Sequence, residues 1–323
     1  MDYLLDVYIE HRLYEVVSSK QNPTEKQTKN WLIWLARQLK VRSWDEFLIE
    51  QMQPAMLETR QERQIYALVF GLIFGSAFSL FFTGYMILFS ISNLEKSLIT
   101  GMLVFCLAGI YSGLNIAKEE IITIEVVNFH FSRFVCFEFF RGAIQGMLFG
   151  LLLGGITKLI LLRDIPVATL SFAFSGIFGL FFGFSAFPKS DLTIRIKPNQ
   201  GILVSARNTA MFMVLALCFS GLFLGLIYKP FISPSFNIGT PGLALFSLPV
   251  LLLIGVTYIT SGGLACIQHF ALRVALHNAN SIPWNYARFL NYCTERLLLQ
   301  RVGGRYRFIH KLVQEHFASM PLK

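Results

Sequence analysis

Four glycines, Gly142, Gly146, Gly150 and Gly154, recur at strict four-residue spacing inside one apolar run. On a helix of 3.6 residues per turn they share a face and leave a smooth groove for another helix backbone. In water each would weaken the helix by about 1 kcal/mol relative to alanine. In a bilayer core the backbone has no solvent to turn to, so the helix persists. The run reads as a membrane span.

Five further runs have the length to cross a hydrocarbon layer, which takes roughly 20 apolar residues. The six cover about Tyr66–Ile91, Leu98–Ala117, Phe140–Leu161, Val167–Phe187, Asn208–Tyr228 and Leu243–Gln268. None has a charge at its centre, and Lys158 lies near the end of the third. Short or polar turns at 92–97 and 163–166 and a Pro/Gly-rich one at 229–242 join them as three hairpins. Small residues repeat at four-residue spacing in other spans, at Gly71/Gly75, Gly109/Gly113, Gly179/Gly183 and Gly221/Gly225. Close helix packing is the common use of this spacing. No Asp, Glu, Arg or His lies deep inside a span, which argues against a coupled transporter.

Lysine and arginine set the orientation. One side of the six runs holds 24 of them, in the segment before the first run, the loops 118–141 and 189–207, and the tail. The other side holds Lys96, Lys158, Arg163 and Lys229. The richer side is expected to be cytoplasmic, which places both termini there. This asymmetry accounts for the formal charge of +9 without nucleic acid, which is not an expected partner. Asp2, Asp6 and Glu10 interrupt any signal-peptide core. The protein is expected in the inner (plasma) membrane as a multi-pass protein.

The flanks read as helical. Leu4, Leu5, Tyr8, Ile9 and Leu13 mark one amphipathic helix; Trp31, Leu32, Trp34, Leu35 and Leu39 mark a second over about 25–40. Ser43-Trp44-Asp45-Glu46 has the form of a capping box and predicts a third helix ending at Pro54. Burial against the other two helices is the expected fate of the tryptophans. After the last run, Pro283 suits a first helical turn, with Tyr286, Leu290, Cys293 and Leu297 on one face. Val302-Gly303-Gly304-Arg305 predicts a tight hairpin between strands Leu299–Val302 and Tyr306–Ile309. A closing helix from about His310 presents Leu312, Val313 and Phe317.

The two inner loops echo each other, Ile122-Thr123-Ile124-Glu125-Val126 against Leu192-Thr193-Ile194-Arg195-Ile196, which suggests a tandem hairpin repeat. The fold class is therefore an all-α membrane protein of six transmembrane helices as three hairpins. A small helical and winged-helix-like cytoplasmic unit comes from both termini. The domains are a cytoplasmic helical segment at 1–64, the membrane region at 65–270 and a helix–hairpin–helix tail at 271–323.

Catalytic chemistry finds no support. Cys106, Cys136, Cys218, Cys266 and Cys293 have neither disulfide nor zinc spacing. Cys266, His269 and His277 lack a fourth ligand nearby, and His310 and His316 fall on different helix faces. His310 is expected to pack within the cytoplasmic unit. The nearest string to a P-loop, Gly183 to Ser190, has Pro188 where the second glycine belongs, and proline has no N–H for a phosphate. No catalytic, metal or cofactor-binding residue is expected, and the chain reads as a non-enzyme.

The tail from Ser281 to Ser319, including Ile282-Pro283-Trp284-Asn285 and Phe308-Ile309-His310 followed by Gln314-Glu315-His316-Phe317-Ala318, resembles the end of membrane-associated bacterial NACHT-domain proteins, STAND-class signalling NTPases. Phe308, His310, Gln314 and Glu315 match the motif that closes their winged-helix region. Trp31–Arg37 with Phe47–Pro54 is similar to the segment ahead of their spans, and Asn199-Gln200-Gly201 with Ser205 and Arg207 to their inter-hairpin loops. The resemblance implies a membrane-anchoring and signalling module, with the spans inserted between two halves of one cytoplasmic region. It departs from the family in having no P-loop, so nucleotide hydrolysis would need a NACHT-type NTPase in cis or in trans. The bilayer and a second copy of the chain are the other expected partners. A pore or facilitator for a small solute is the alternative.

Overall fold

The computed structural model describes residues 2–14, 23–88, 94–115, 120–121, 198–223 and 262–321, with single positions or pairs between 137 and 152. The glycines at 142, 146, 150 and 154, the fourth span and the echoed loop motifs lie outside the described residues, as do most of the third and sixth spans. The described chain is mostly helical: α1 Asp2–Tyr14, α2 Glu25–Arg42, α3 Arg60–Leu88, α4 Leu94–Leu114, α5 Gln200–Phe223, α6 Gly263–Asn278, α7 Tyr286–Glu295 and α8 Lys311–Ser319. One antiparallel hairpin, β1 Leu299–Val302 and β2 Arg305–Phe308, stands between α7 and α8.

Among the described residues two helices are long and apolar enough to cross a membrane, residues 60–80 of α3 and the whole of α4. The side chains of α4 are sorted opposite to those of a helix in water. On α4 the buried residues are Ser97, Gly101, Ser112 and Gly113, while Leu98, Met102, Leu103, Leu107 and Ile110 are exposed. Water would drive the large apolar groups inward. Lipid rewards only close contact, so the smallest residues face the partner helix. Ser79 Oγ completes the seam by donating to the Gly101 carbonyl at 2.7 Å.

The termini build a second region with its own core. Thr24 caps α2 reciprocally, its Oγ accepting the Gln27 N–H at 3.3 Å while Gln27 Oε1 accepts the Thr24 N–H at 3.2 Å. The middle of α2 is buried on every side, from Trp31 through Ala36 to Leu39. The tryptophans are buried, but against α7 rather than only their N-terminal neighbours: Trp31 meets Phe289 edge-on at 5.0 Å and Trp34 meets Tyr286 at 6.4 Å. The N-terminal and C-terminal halves are further joined by Tyr8 Oη to the Leu297 carbonyl (2.9 Å), Arg37 to the Met320 carbonyl (2.7 Å) and His316 to Asp6 (2.7 Å).

Four local expectations are corrected. No helix starts at Ser43; that residue takes φ 54° and ends α2, and 3-10 turns at Ile49–Gln51 and Pro54–Met56 follow. The helix is displaced because Phe47 pairs in extended form with Tyr306, N–H to carbonyl at 2.6 Å and back at 2.9 Å. Pro283 precedes the helix that Asn285 caps, and Leu297 lies beyond its end at φ 55°. His310 is exposed and acts as the N-cap of α8, its Nδ1 accepting the Leu312 N–H at 3.2 Å. The hairpin's second strand begins at Arg305, one residue early, because Gly303 at φ 63° closes a two-residue turn and pairs Val302 with Arg305.

Candidate functional site

The segment Phe47–Gln53 is the point at which separate parts of the chain meet. It follows the left-handed stop at Ser43 and runs through a single 3-10 turn, so successive backbone and side-chain groups point in different directions. Phe47, Leu48, Ile49 and Met52 are buried and fix it in the core. Phe47, Glu50 and Gln53 each take a partner from a different stretch of sequence.

Phe47 holds the hairpin through its two backbone bonds to Tyr306. Arg305 adds an ion pair to Glu46 at 3.1 Å, and Tyr306 Oη donates to Asn291 Oδ1 at 2.8 Å. Glu50 is 3% exposed, and its Oε1 accepts the Gly201 N–H at 2.7 Å. Gly201 lies in the first turn of α5, where the unpaired N–H groups and the helix dipole favour an anion. Gln53 treats Ile121 as a strand would: its Nε2 donates to the Ile121 carbonyl at 3.0 Å and its Oε1 accepts the Ile121 N–H at 2.7 Å.

α3 leaves this segment through a capping box of its own. Thr59 Oγ accepts the Glu62 N–H at 3.1 Å, and the Glu62 carboxylate accepts the N–H groups of Glu58 (2.7 Å) and Thr59 (3.2 Å). α6 closes the other side. Its His269 is 1% exposed and lies against the Glu50 backbone, and burial lowers the imidazole to about 4, with the Arg273 charge one turn away acting in the same sense.

His269 is therefore neutral in the folded protein at pH values where the unfolded chain, near 6.5, begins to take a proton. The stability from this group is complete above 6.5 and is lost as the pH falls towards 4, by about 3 kcal/mol in total. Chemical denaturation at pH 7 and pH 4.5 in one detergent should show a steeper loss for the native protein than for His269→Gln. Parallel losses would remove His269 as the source.

The arrangement has no nucleophile paired with a base. Cys266 donates its thiol to the Ile202 carbonyl at 3.6 Å and His277 pairs with the Ile282 carbonyl at 3.1 Å, so the Cys266, His269 and His277 side chains do not converge. Among the described residues no group of three or more His, Cys, Asp or Glu is placed to hold a metal. Phe308 and Phe317 pack at 5.9 Å in the core, His310 caps α8, Gln314 is half-buried and Glu315 is exposed. Gly71 and Gly75 face Gly109 and Gly113 across the α3–α4 seam, well away from Glu50.

Glu50, Gln53 and Ile121 were given no role by the sequence, and His269 was weighed there only as a metal ligand. Glu50, Gln51 and Gln53 among the apolar residues before Pro54 were the available signal. No family model, no curated protein and no solved structure matches this chain.

Proposed function

We propose that this chain is a non-catalytic, membrane-anchoring and signalling module of the NACHT/STAND type, with six membrane helices in three hairpins and both termini cytoplasmic. The observation that carries the reading is the gathering of Ile121, Gly201 and Tyr306 onto Phe47–Gln53. Each lies after a stretch holding two of the six apolar runs, apart from the short distance to Tyr306 through α6 and α7. A chain that returns to one level after every pair of runs crosses an even number of times between anchors. Three hairpins satisfy that condition.

The same geometry supports a signalling role. A displacement of the α2–α7–α8 core would be felt at the start of α5 through the Glu50–Gly201 bond and at the end of the α3–α4 hairpin through Gln53. The driving displacement would come from a nucleotide-dependent domain, joined in cis or in trans.

The test is purification from native membranes in mild detergent through the C-terminal tail. A nucleotide-hydrolysing species is expected, either far heavier than 36.7 kDa under denaturing conditions or held as a separate subunit. A 36.7 kDa species without bound or hydrolysed nucleotide, and with solute flux in vesicles, would replace this reading by the pore.

A further inference from the structure

The far end of α6 carries an aromatic and basic cluster that the cytoplasmic core leaves uncovered. Phe270 is 46% exposed and Trp284 is 51% exposed, and their rings meet edge-on at 6.0 Å. Arg273 lies over the Trp284 ring at 6.0 Å and donates one N–H to the Trp284 carbonyl at 2.6 Å. Of the five donors on a guanidinium this uses one, and among the described residues Arg273 has no carboxylate partner. The opposite face of α6, with Ala271, Leu272, Ala275 and Leu276, is fully buried.

The level of the cluster follows from its neighbours. Gln268 lies beside the Tyr66 hydroxyl at the start of the first apolar run, and Cys266 reaches Ile202 near the start of α5. Three apolar helices thus begin or end around Gln268. At 1.5 Å per residue, Arg273 lies about 7 Å beyond it, at the depth of lipid headgroups. Above the cluster, between α3, α5 and α6, a crevice of about 350 Å³ is lined by Ile73, Ala206, Ala210, Gly263, Ile267 and Phe270. Gly263, Ile267, Phe270 and Arg273 follow one another along a single face of α6, so the apolar crevice passes directly into the cation.

We propose that this face binds a phospholipid: Arg273 takes the phosphate, Phe270 and Trp284 lie at the headgroup–acyl boundary, and one acyl chain enters the crevice. Tryptophan beside arginine suits this depth because each has an apolar body and a polar end. The partner is the bilayer in which the chain is proposed to be embedded, so the inference rests on the membrane reading. With no carboxylate against Arg273 among the described residues, its charge gives a preference for anionic lipid.

The full chain is reconstituted in vesicles of phosphatidylcholine, alone or mixed with phosphatidylglycerol, and its tryptophan emission is quenched with brominated phosphatidylcholine. Trp31 and Trp34 are buried and Trp44 is half-buried, so in a Trp44→Phe background Trp284→Phe should remove the larger part of the quenching. Native mass spectrometry should show phosphatidylglycerol retention reduced about fivefold in Arg273→Gln and largely kept in Arg273→Lys. A role confined to holding the Trp284 carbonyl would not depend on the lipid charge. Unchanged quenching in Trp284→Phe, with the protein still resisting alkaline carbonate, would overturn the lipid site alone and leave the face to other segments of this chain. Extraction by carbonate would overturn both the site and the membrane reading.

Discussion

Replacing Glu50 by alanine is expected to detach the start of α5 from the cytoplasmic core and to destabilise the folded protein by about 3 kcal/mol. The bond lost is charge-assisted and buried, joining a carboxylate 3% exposed to the Gly201 N–H at 2.7 Å. The alanine leaves that N–H without its acceptor and removes a favourable charge from a helix N-terminus. Glu50→Gln keeps an acceptor of the same length and loses only the charge, so it should cost about 1 kcal/mol. Thermal unfolding in detergent gives the ranking, and limited proteolysis around 198–201 reports the detachment. Native-like proteolysis of Glu50→Ala would mean that α5 is held by its packing and that Glu50 transmits nothing.

Substitution of Gly71 should also be disruptive, for a different reason. A Cβ built there falls 2.5 Å from the Gly109 carbonyl oxygen, a backbone atom that cannot turn aside. At Gly75 the corresponding distance is 2.9 Å, to the Phe105 carbonyl. Gly71→Ala forces α3 and α4 apart along their seam, with an expected loss of about 2 kcal/mol, and Gly71→Val loses more. Gly84 is the control, because a Cβ there meets nothing within 4 Å. Melting temperature and monodispersity in detergent measure the effect. A Gly71→Val protein as stable as Gly84→Ala would show that the helices have no need of this contact.

Much of the terminal unit was legible because its signals are local. The Gly303-Gly304 turn fixed the hairpin to within one residue, and the apolar spacing of α1, α2 and α8 located those helices. A pair of Ser/Thr-x-x-Glu strings shows the limit of such reasoning. Thr59-Arg60-Gln61-Glu62 caps the start of α3, whereas Ser43-Trp44-Asp45-Glu46 has the same form and starts no helix. The second loses to a contact with Tyr306, far along the chain and invisible to a local pattern. Glu50 and Gln53 were hidden for the same reason. A buried polar residue takes its meaning from the partner that satisfies it, and here the partners are backbone groups of Gly201 and Ile121, which carry no side-chain signature.

The meeting of distant segments on Phe47–Gln53 has a consequence for the order of assembly. Glu46 and Arg305 are 259 residues apart, and closing such a loop in one step costs about 5 kcal/mol of chain entropy before any contact rewards it. Gln53 closes a shorter loop first, 68 residues to Ile121, and Glu50 then takes Gly201 at a separation of 151. Each capture shortens the free chain that the next must span. During synthesis the extended edge at Phe47 therefore waits for its partner until Tyr306 has been made. Closure of the hairpin onto it marks a molecule whose intervening segments are already in place.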